Sequence, residues 1–555
     1  MNNSNNNLNN TVEKCDTLLV NATVWSGKKP KPAQYWVAIS DNRFVGMGDE
    51  NTPLPKQSDN LLDLQCKHIL PSFVDCHSHL SAAAFINYAG DASQWRSKDE
   101  ALEIVKSDAA LSGDKGWLIY FHADWTTWVG RKIPTAKALD EASGGRPVFL
   151  VCTSLHRGVL SESALKKYEI SHAYKKSWTE FIDTKRGEPT GVVWEECFSY
   201  CLSRCLQDRA IELGKGKVEE GFRKEAQKHL SVGITDVHDP GVTDDVFHSM
   251  AKLNEATSLR ISWSSAGNCG AVSSASKSNK LSQYGNGPSS AKVFTDGAHR
   301  CSLCINSTTA ARMATLSIYD VLLTANLNPI RNLLQAKSTF KDGNLIQQGA
   351  LFSKEELSVR VKELAEVNER LKIHAIGNHA IDMTCDCIVE NDLITSVCLE
   401  HATIVDDNNI EKISKNNILV SLQPGFIPHH GPLFEGANTG DVLRGLAANS
   451  MLKADINLSF SSDYPCAPLE PLHNMRCAVD RKTSDGRVYL ENEAITQEQA
   501  VYAYTVGGMK GITGSDKDGI EIGAVADFVI LSGDPFDESS IVENTWINGE
   551  CVFEE

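Results

Sequence analysis

Two histidines separated by one residue follow an apolar run near position 77. The run Pro71-Ser-Phe-Val-Asp-Cys leads directly into His77-Ser-His79. In an extended backbone, side chains two residues apart point to the same side, so both imidazoles are able to reach one metal ion at about 2.0–2.1 Å. By itself, the pair fits a structural or surface role equally well, and other residues must distinguish these possibilities.

Four further residues with metal-binding chemistry lie in or at the end of comparable apolar runs. They are Lys292, His374, His401 and Asp463. Each has an ordinary alternative, as a core histidine, a helix-capping aspartate or a lysine that extends to solvent at a barrel edge. Their occurrence together, in this order along successive runs, favours one metal centre over several unrelated roles.

Short buried strands that alternate with helical segments must position these side chains. This alternation is typical of βα units with a parallel sheet, and functional loops then follow the carboxyl ends of the strands. Eight apolar runs have the expected character: Ile69–His77, Ile234–His238, Leu259–Trp263, Ala291–Phe294, Leu371–Ile376, Val397–Ala402, Ile418–Leu422 and Ile456–Ser461. They predict an α/β fold, a (β/α)₈ TIM-type barrel with the candidate ligands at its mouth.

The chain is longer than such a barrel requires. A plain barrel takes about 250 residues, whereas this chain has 555. The excess follows the first strand, at about residues 90–215, and includes the strand-like run Pro147–Cys152. Strand-like segments within 14–70 and 506–555 predict a small β-sandwich built from both chain ends, which leaves 71–505 for the barrel and its insertion. Residues 1–13 are polar and of low complexity, and we expect a disordered tail.

Composition restricts the class of partner. The formal net charge of −17 disfavours nucleic acid, because phosphate backbones are bound by basic stripes. No apolar run reaches the about 18 residues of a membrane span, and no apolar stretch follows the polar first residues as in a secretory signal. We therefore expect a cytoplasmic protein with reduced cysteines, a small-molecule substrate and no membrane partner. A homo-oligomer is left open.

The order of the motifs resembles the amidohydrolase superfamily. The individual sequence motifs are similar to those of its amidohydrolase family 3 branch, which includes N-substituted formamide deformylases. The supporting phrases are Lys292-Val-Phe-Thr-Asp-Gly297, His374-Ala-Ile-Gly377, Glu400-His401, Ser462-Asp463, Gly187-Glu-Pro-Thr-Gly-Val192, Pro147-Val-Phe-Leu150 and Ile522-Gly-Ala-Val-Ala-Asp-Phe-Val-Ile530. The resemblance extends from about Asp16 to Phe553 and is specific to the branch, not to a substrate.

The resemblance implies a ligand set and a reaction. The metal ligands would be His77, His79, His374, His401 and Asp463, with Lys292 carboxylated by CO₂ to bridge two ions. One or two divalent ions are implied, and zinc is favoured because an open site of imidazole and carboxylate ligands suits it. Asp463 would accept the proton of a metal-activated water and return it to the leaving amine. The implied reaction cleaves the C–N bond of an amide, N-formyl amine or N-acyl amine.

Two stretches depart from the family pattern. After His374-Ala-Ile-Gly377 the family usually continues Asp-Arg, where this chain has Asn378-His379, and its usual Asp-Gly-His is here Ser154-Leu155-His156. These positions are expected to line the substrate pocket, so the substrate of a relative does not transfer directly. His156, His238 and Asp296 are the candidate substrate-binding residues. Glu400, next to His401 on a strand, should face away from the site and be structural.

Two other functions remain open at this stage. Deaminases with this fold usually place a catalytic glutamate three residues after the fifth-strand histidine, where this chain has Gly377, so deamination is disfavoured. A non-catalytic regulatory or binding relative would be recognised by lost ligands, and none of the expected ligands is missing. Metal content and a hydrolysis screen would separate an enzyme from a regulatory protein.

Overall fold

The computed structural model describes residues 12–28, 33–111, 116–170, 181–242, 244–266, 286–298, 301–324, 338–341, 343–347, 349–429, 431 and 443–555. The expected tail at residues 1–13 lies almost entirely outside these ranges. Among the helices within them, none has both the length and the apolar character needed to cross a membrane.

Eight parallel strands form the centre of the molecule and build a nearly closed barrel. In chain order they are β1 (Phe73–Asp75), β2 (Ile234–Val242), β3 (Arg260–Ala266), β4 (Ser290–Phe294), β5 (Arg370–Ala375), β6 (Val397–His401), β7 (Leu419–Leu422) and β8 (Leu458–Phe460). Each pairs with the next in this order. All eight predicted runs therefore contribute a strand to the expected α/β barrel, and most of their apolar side chains are buried in one core.

The segments that carry the candidate ligands bridge the gap between the first and last strands. The backbone N–H of Asp463 donates to the carbonyl of His77 at 2.8 Å, and that of His79 donates to the carbonyl of Tyr464 at 2.7 Å. The Asp75 carboxylate also accepts the N–H of Ser462 at 3.0 Å. The same bonds that join β8 to β1 thus hold Asp463 beside the two histidines.

The expectation of one strand over Ile69–His77 is wrong. His68–Pro71 pairs with the C-terminal strand Phe528–Leu531, whereas β1 pairs with β2. The intervening Ser72 donates its N–H to the carbonyl of Asp527 at 3.1 Å. One continuous apolar run therefore contributes strands to two different sheets. Its apolar character does not mark the boundary between them, because each sheet buries its part of the run.

Helices cover the barrel and follow most of its strands. They are Leu80–Ile86, Lys215–Ser231, Asp244–Ala256, Ser307–Thr324, Lys354–Ala365, Asn378–Glu390, Asp407–Lys415, Ala448–Lys453, Pro471–Asp480, Gln497–Tyr504 and Gly508–Thr513. Strands outside the main sheets form a three-stranded sheet (Leu303–Asn306, Ser338–Lys341, Asn344–Gln347) and a two-stranded pair (Ile404–Val405, Arg444–Gly445).

A second sheet with its own hydrophobic core lies between β1 and β2 in the chain. Its strands are Gly90–Asp91, Leu118–Ala123, Val148–Cys152, Arg157–Leu160, Ile182–Lys185 and Glu188–Trp194. Within the described residues, four α-helices accompany it: Lys98–Leu111, Ala136–Ser143, Glu162–Lys167 and Glu195–Leu213. The helix Glu195–Leu213 is called the mouth helix below. The limits of the insertion, at about residues 90 and 215, stay a prediction.

The two chain ends share a third sheet. Its strands are Lys14–Val24, Ala33–Ser40, Arg43–Gly48, Gln57–Asp63, His68–Pro71, Phe528–Leu531, Val542–Ile547 and Glu550–Glu554. The two ends meet where Phe528–Leu531 pairs antiparallel with His68–Pro71. The last two strands are joined by Asn548 and Gly549, both with positive φ, as a two-residue Asn-Gly hairpin turn requires. The arrangement of this third sheet as a β-sandwich stays a prediction.

Candidate functional site

Histidine and aspartate side chains from the first, sixth and last strands converge at the barrel mouth. One ligand atom each from His77, His401 and Asp463 lie within 4.8 Å of one another. Asp463 Oδ1 is 3.3 Å from Nε2 of both His77 and His79. His374 completes the group, since its ring centroid is 4.4 Å from that of His401. The structure thus brings together the five residues expected from sequence to be imidazole and carboxylate ligands.

Two buried nitrogen atoms in this cluster have no hydrogen-bond partner among the described residues. They are His374 Nε2 and Lys292 Nζ. Lys292 is fully buried on β4, and its amine lies 5.2 Å from the Phe294 ring. A buried polar group without a partner costs about 1–3 kcal/mol. The open imidazole nitrogen of His374, beside three further histidines and a carboxylate, fits the donor set that a divalent cation such as zinc takes.

The electrostatic environment favours the ligating forms of His374, His401 and Asp463. Burial, together with His77, lowers the pKa of His401 to about 3. Burial and the neighbouring His401 hold the pKa of His374 well below its ordinary value. Burial alone would raise the pKa of Asp463, but the adjacent His77, His79 and His401 keep it well below the usual range. Neutral imidazole and ionised carboxylate are the forms that bind metal.

Glu400 and Lys372 form a buried chain behind His77. Glu400 Oε2 is 2.6 Å from His77 Nδ1, and Glu400 Oε1 is 3.1 Å from Lys372 Nζ. Burial would raise the pKa of Glu400, but Lys372 and His77 hold it well below its usual value. A carboxylate on the remote nitrogen of a ligating histidine fixes the orientation of the ring and the position of its proton.

The expectation that Glu400 faces away from the site is therefore wrong. His401 has φ 74° and the next residue, Ala402, has φ 42°, so the backbone leaves the extended conformation at this point. Strand alternation then fails, and both Glu400 and His401 face the barrel interior. The sequence carried one signal for the position of Glu400. Lys372 lies two residues before His374 on a strand, so both side chains face the barrel interior, where a buried lysine requires a carboxylate partner.

His156 extends into the site from the insertion. Its Nδ1 is 2.6 Å from Glu195 Oε2, and its ring centroid is 5.2 Å from that of His374. Burial alone would lower the pKa of His156, but the Glu195 carboxylate raises it. Sequence reasoning missed Glu195, although it is an acidic residue directly after the buried strand Glu188–Trp194, the same signal that revealed the barrel residues.

The other two candidate substrate residues are held by the protein itself. His238 Nδ1 is 2.8 Å from Ser262 Oγ, and its Nε2 is 2.8 Å from Ser264 Oγ, so both ring nitrogens have partners. Asp296 accepts the backbone N–H groups of Ile376, Gly377 and Ser302 at 2.8–3.0 Å. Asp296 borders the cavity, whereas His238 is outside its described lining.

A cavity over the ligand cluster connects the barrel mouth with the insertion. The mouth helix forms one wall through Phe198, Leu202 and Leu206, each four residues after the last. Leu155 and Leu351 add further apolar surface, and Ser199 and Ser203 border it. The site thus has a polar, metal-binding floor supplied by the barrel and a largely apolar wall supplied by the insertion, as in many small-molecule sites.

Comparison with known proteins agrees with this geometry. The profile of the Amidohydrolase family matches residues 60–553. An N-substituted formamide deformylase of Arthrobacter pascens is 26% identical over 94% of each chain.

Two solved structures of uncharacterized metal-dependent hydrolases have the same fold. The one from Pyrococcus furiosus has a TM-score of 0.62 at 21% identity and covers 94% of this chain and 100% of its own. The one from Pyrococcus horikoshii has a TM-score of 0.64 at 20% identity and covers 94% and 98%. With its family profile matched over most of its length, the chain belongs to the Amidohydrolase family.

Proposed function

We propose that the protein is a metal-dependent hydrolase that cleaves the C–N bond of an amide, releasing a carboxylate and an amine. One observation carries this proposal: five candidate ligands converge at the strand ends, namely His77, His79, His374, His401 and Asp463. The Nε2 atom of His374 has no hydrogen-bond partner among the described residues and is open to a metal ion. The relative named as an N-substituted formamide deformylase supports N-formyl or N-acyl amines as the substrate class.

The proposed metal ligands are these five residues and Lys292, and the preferred ion is Zn²⁺, in one or two copies. A bound divalent ion would lower the pKa of a water molecule to about 7 and polarise the substrate carbonyl. Glu400 accepts at Nδ1 of His77 and so directs Nε2 toward the cluster. Lys372, whose amine also donates to the carbonyl oxygens of Cys76 and Gly511, holds Glu400 in place.

Asp463 is the proposed proton carrier. Its carboxylate contacts both His77 and His79 and borders the cavity. In this role it takes a proton from the attacking water and transfers it to the nitrogen of the leaving amine. The low pKa of Asp463 keeps it ionised and able to accept that proton.

Carboxylation of Lys292 is a further part of the proposal. Burial lowers the pKa of Lys292 to about 8, so an appreciable fraction of its amine is uncharged near neutral pH. The uncharged amine is the form that reacts with CO₂, and the resulting carbamate would turn a repelled ammonium into a ligand.

One observation bears on deamination as the alternative function. At Gly377, where deaminases carry a glutamate, a Cβ atom would lie 2.1 Å from the carbonyl oxygen of Ser302, so any side chain there would require the backbone to shift. This favours amide hydrolysis over deamination.

We also propose that the protein is cytoplasmic. The fifteen described cysteines are free thiols, which supports this location.

Metal analysis combined with a hydrolysis screen tests the proposal. Protein purified without chelator should contain one or two transition-metal ions per chain by elemental mass spectrometry and should release amines from N-formyl or N-acyl amines. Chelation should abolish the activity and zinc should restore it. His374→Ala should lower the metal content. His379→Ala is the matched control, because His379 lies on the following helix and, contrary to the expectation from sequence, outside the described lining of the cavity.

Three outcomes would contradict the proposal. Full activity without metal would refute the mechanism. Ammonia release from heterocyclic amines without amide hydrolysis would identify a deaminase instead. Bound metal with no activity on either substrate class would favour a regulatory relative.

A further inference from the structure

One helix packs closely against the segment that carries the first two candidate ligands. It is Lys215–Ser231 and is called the support helix below. Its neighbour is the helix Leu80–Ile86, which begins directly after His79. At Gly221 of the support helix, an added Cβ atom would lie 2.6 Å from the carbonyl oxygen of Ala84. Only glycine therefore lets the two helices approach this closely, and the approach gives the support helix a fixed position beside the ligand segment.

A histidine of the support helix contacts the residue between the two candidate ligands. His229 Nε2 is 3.2 Å from Ser78 Oγ, and both residues are fully buried. The other ring nitrogen, Nδ1, donates to the carbonyl oxygen of Glu225 at 2.7 Å, one turn earlier in the same helix. A hydroxyl group is able to donate or to accept, so the contact with Ser78 does not depend on the protonation state of the ring. His229 thus joins its own helix to the ligand segment through both ring nitrogens.

The preceding residue, Lys228, extends the contact to the segment of Asp463. Its amine donates to the hydroxyl oxygen of Tyr464 at 2.8 Å and lies 4.4 Å from the centroid of that ring. Tyr464 directly follows Asp463, and its carbonyl oxygen accepts the backbone N–H of His79 at 2.7 Å. Two consecutive residues of the support helix therefore contact neighbours of the candidate ligands in both segments. Of these two contacts, the one made by His229 is buried.

We propose that His229 is a positioning residue of the metal centre, which acts through Ser78 on the backbone between His77 and His79. The inference rests on the proposed function. Ser78 is held twice, because its backbone N–H donates to the carbonyl oxygen of His238 at 2.9 Å and its hydroxyl group contacts His229. A residue held at backbone and side chain fixes the direction of both neighbours. The two imidazoles are then ordered before an ion arrives, and a preorganised site binds more tightly.

Zinc affinity tests the proposal. Ser78→Ala and His229→Leu each remove the contact, and the loss of one hydrogen bond should raise the dissociation constant of Zn²⁺ by about 3- to 10-fold. Competition with a chromogenic zinc chelator measures this constant. His229→Gln, which keeps a hydrogen-bonding group near the position of Nε2, should retain part of the affinity. The double variant Ser78→Ala/His229→Leu should bind zinc no more weakly than the weaker single variant, because both changes remove the same contact.

Stability with and without zinc separates positioning from a merely structural role. A contact that only stabilised the fold would lower the free energy of unfolding equally in both states and leave the zinc affinity unchanged. Positioning predicts a larger loss in the zinc-loaded protein, because the stabilisation by a bound ion depends on its dissociation constant. Ser231→Ala is the matched control, since the Ser231 hydroxyl donates to the carbonyl oxygen of Lys228 within the same helix. It should leave the zinc affinity unchanged.

The cobalt-loaded protein adds a spectroscopic readout. Displaced histidines should change the visible absorption of bound Co²⁺ in Ser78→Ala but not in Ser231→Ala. Wild-type zinc affinity in Ser78→Ala would overturn the inference, and this variant decides the question if His229→Leu does not fold. Zinc binding by the wild type without hydrolysis of any amide would refute the proposed function, while the affinity comparison would still decide the inference. A wild-type protein that binds no zinc would refute both.

Discussion

At the scale of single residues, the candidate site contains buried lysine side chains, which are rare in proteins. Lys292 and Lys372 are both completely buried, and each is next to the ligand cluster. They differ in their partners, because Lys372 contacts Glu400 at 3.1 Å whereas the Lys292 amine has no hydrogen-bond partner in the described part of the chain. Lys372 thus fits a structural role, and Lys292 is available for chemistry.

Asp463→Asn separates catalysis from metal binding. The amide keeps the size of the carboxylate and one coordinating oxygen, but it cannot accept the proton of water. We expect kcat to fall by about 10²–10⁴-fold, while the metal content falls less and the circular dichroism spectrum stays native. Asp455→Asn, an exposed change just before β8, is the control. Full activity in Asp463→Asn would exclude this residue from the proton transfer, and loss of all metal would make it primarily a ligand.

Lys292→Ala tests the proposed carbamate. Removing the amine should lower the metal occupancy and the rate together, and added short-chain carboxylates should restore part of both by occupying the space of the carbamate. Elemental mass spectrometry and amine release measure the two effects. Lys482→Ala, at a lysine whose side chain is 62% exposed, should change neither. Unchanged metal and rate in Lys292→Ala would exclude this residue from the site.

At the scale of elements, the mouth helix combines two functions along its length. It begins with Glu195, which holds His156, and continues with an apolar stripe over the cavity. The spacing of Phe198, Leu202 and Leu206 places them on one helix face, and all three line the cavity. The helix thus places a carboxylate near the ligand cluster and apolar side chains farther out along the cavity.

Leu202→Ser tests whether this stripe binds the N-substituent of the substrate. Losing one leucine contact should cost about 1–2 kcal/mol, so KM for N-hexylformamide should rise by about 5- to 30-fold. KM for N-methylformamide, which is too short to reach the stripe, should change little. Ile211→Ser is the control on the same helix, since Ile211 is 76% exposed. An equal loss for both substrates would indicate a general structural effect instead.

At the scale of the whole molecule, a buried charge cluster fastens the barrel to the sheet of the chain ends. Arg260 on β3 donates to Asp236 on β2 at 2.7 and 2.9 Å and to Asp527, directly before an end-sheet strand, at 2.5 Å. Lys517 is 3.2 Å from Asp236. The chain ends are therefore attached to the barrel by paired charges as well as by apolar packing.

Asp236→Asn should destabilise the folded protein, because it leaves two partly buried cations with only Asp527 for compensation. We expect a loss of about 3–5 kcal/mol in the free energy of unfolding at pH 7, measured by chemical denaturation. Asp485→Asn, at an exposed position, should have no such effect. An Asp236→Asn protein as stable as the wild type would show that the cluster contributes no net stability.

The same cluster predicts a pH dependence with a definite sign. Burial would raise the pKa of Asp236, but Lys517 and Arg260 hold it well below its ordinary value. The carboxylate therefore stabilises the fold fully above the pKa of the unfolded chain, about 3.9, and loses this contribution as the pH falls further. The stability difference between wild type and Asp236→Asn should shrink in that acidic range.

The sequence by itself determined the barrel and most of the ligand cluster. Short apolar runs encode buried strands locally, and in a parallel barrel all strand ends meet at one rim. Histidines and an aspartate at the ends of such runs could therefore be assigned to one site without any knowledge of contacts. The family resemblance added the role of each ligand and the expected carboxylation of Lys292.

Only the tertiary structure decided which side chains hold these ligands in place. Glu400 faces His77 because the backbone at His401 turns to positive φ, and side-chain alternation carries no signal for that turn. Glu195 reaches His156 across 39 residues, in the space that Gly297 leaves open. Periodicity is a local property, whereas such contacts depend on how separate elements pack. The sequence therefore identified the candidate ligands, and the fold showed which side chains hold them in place.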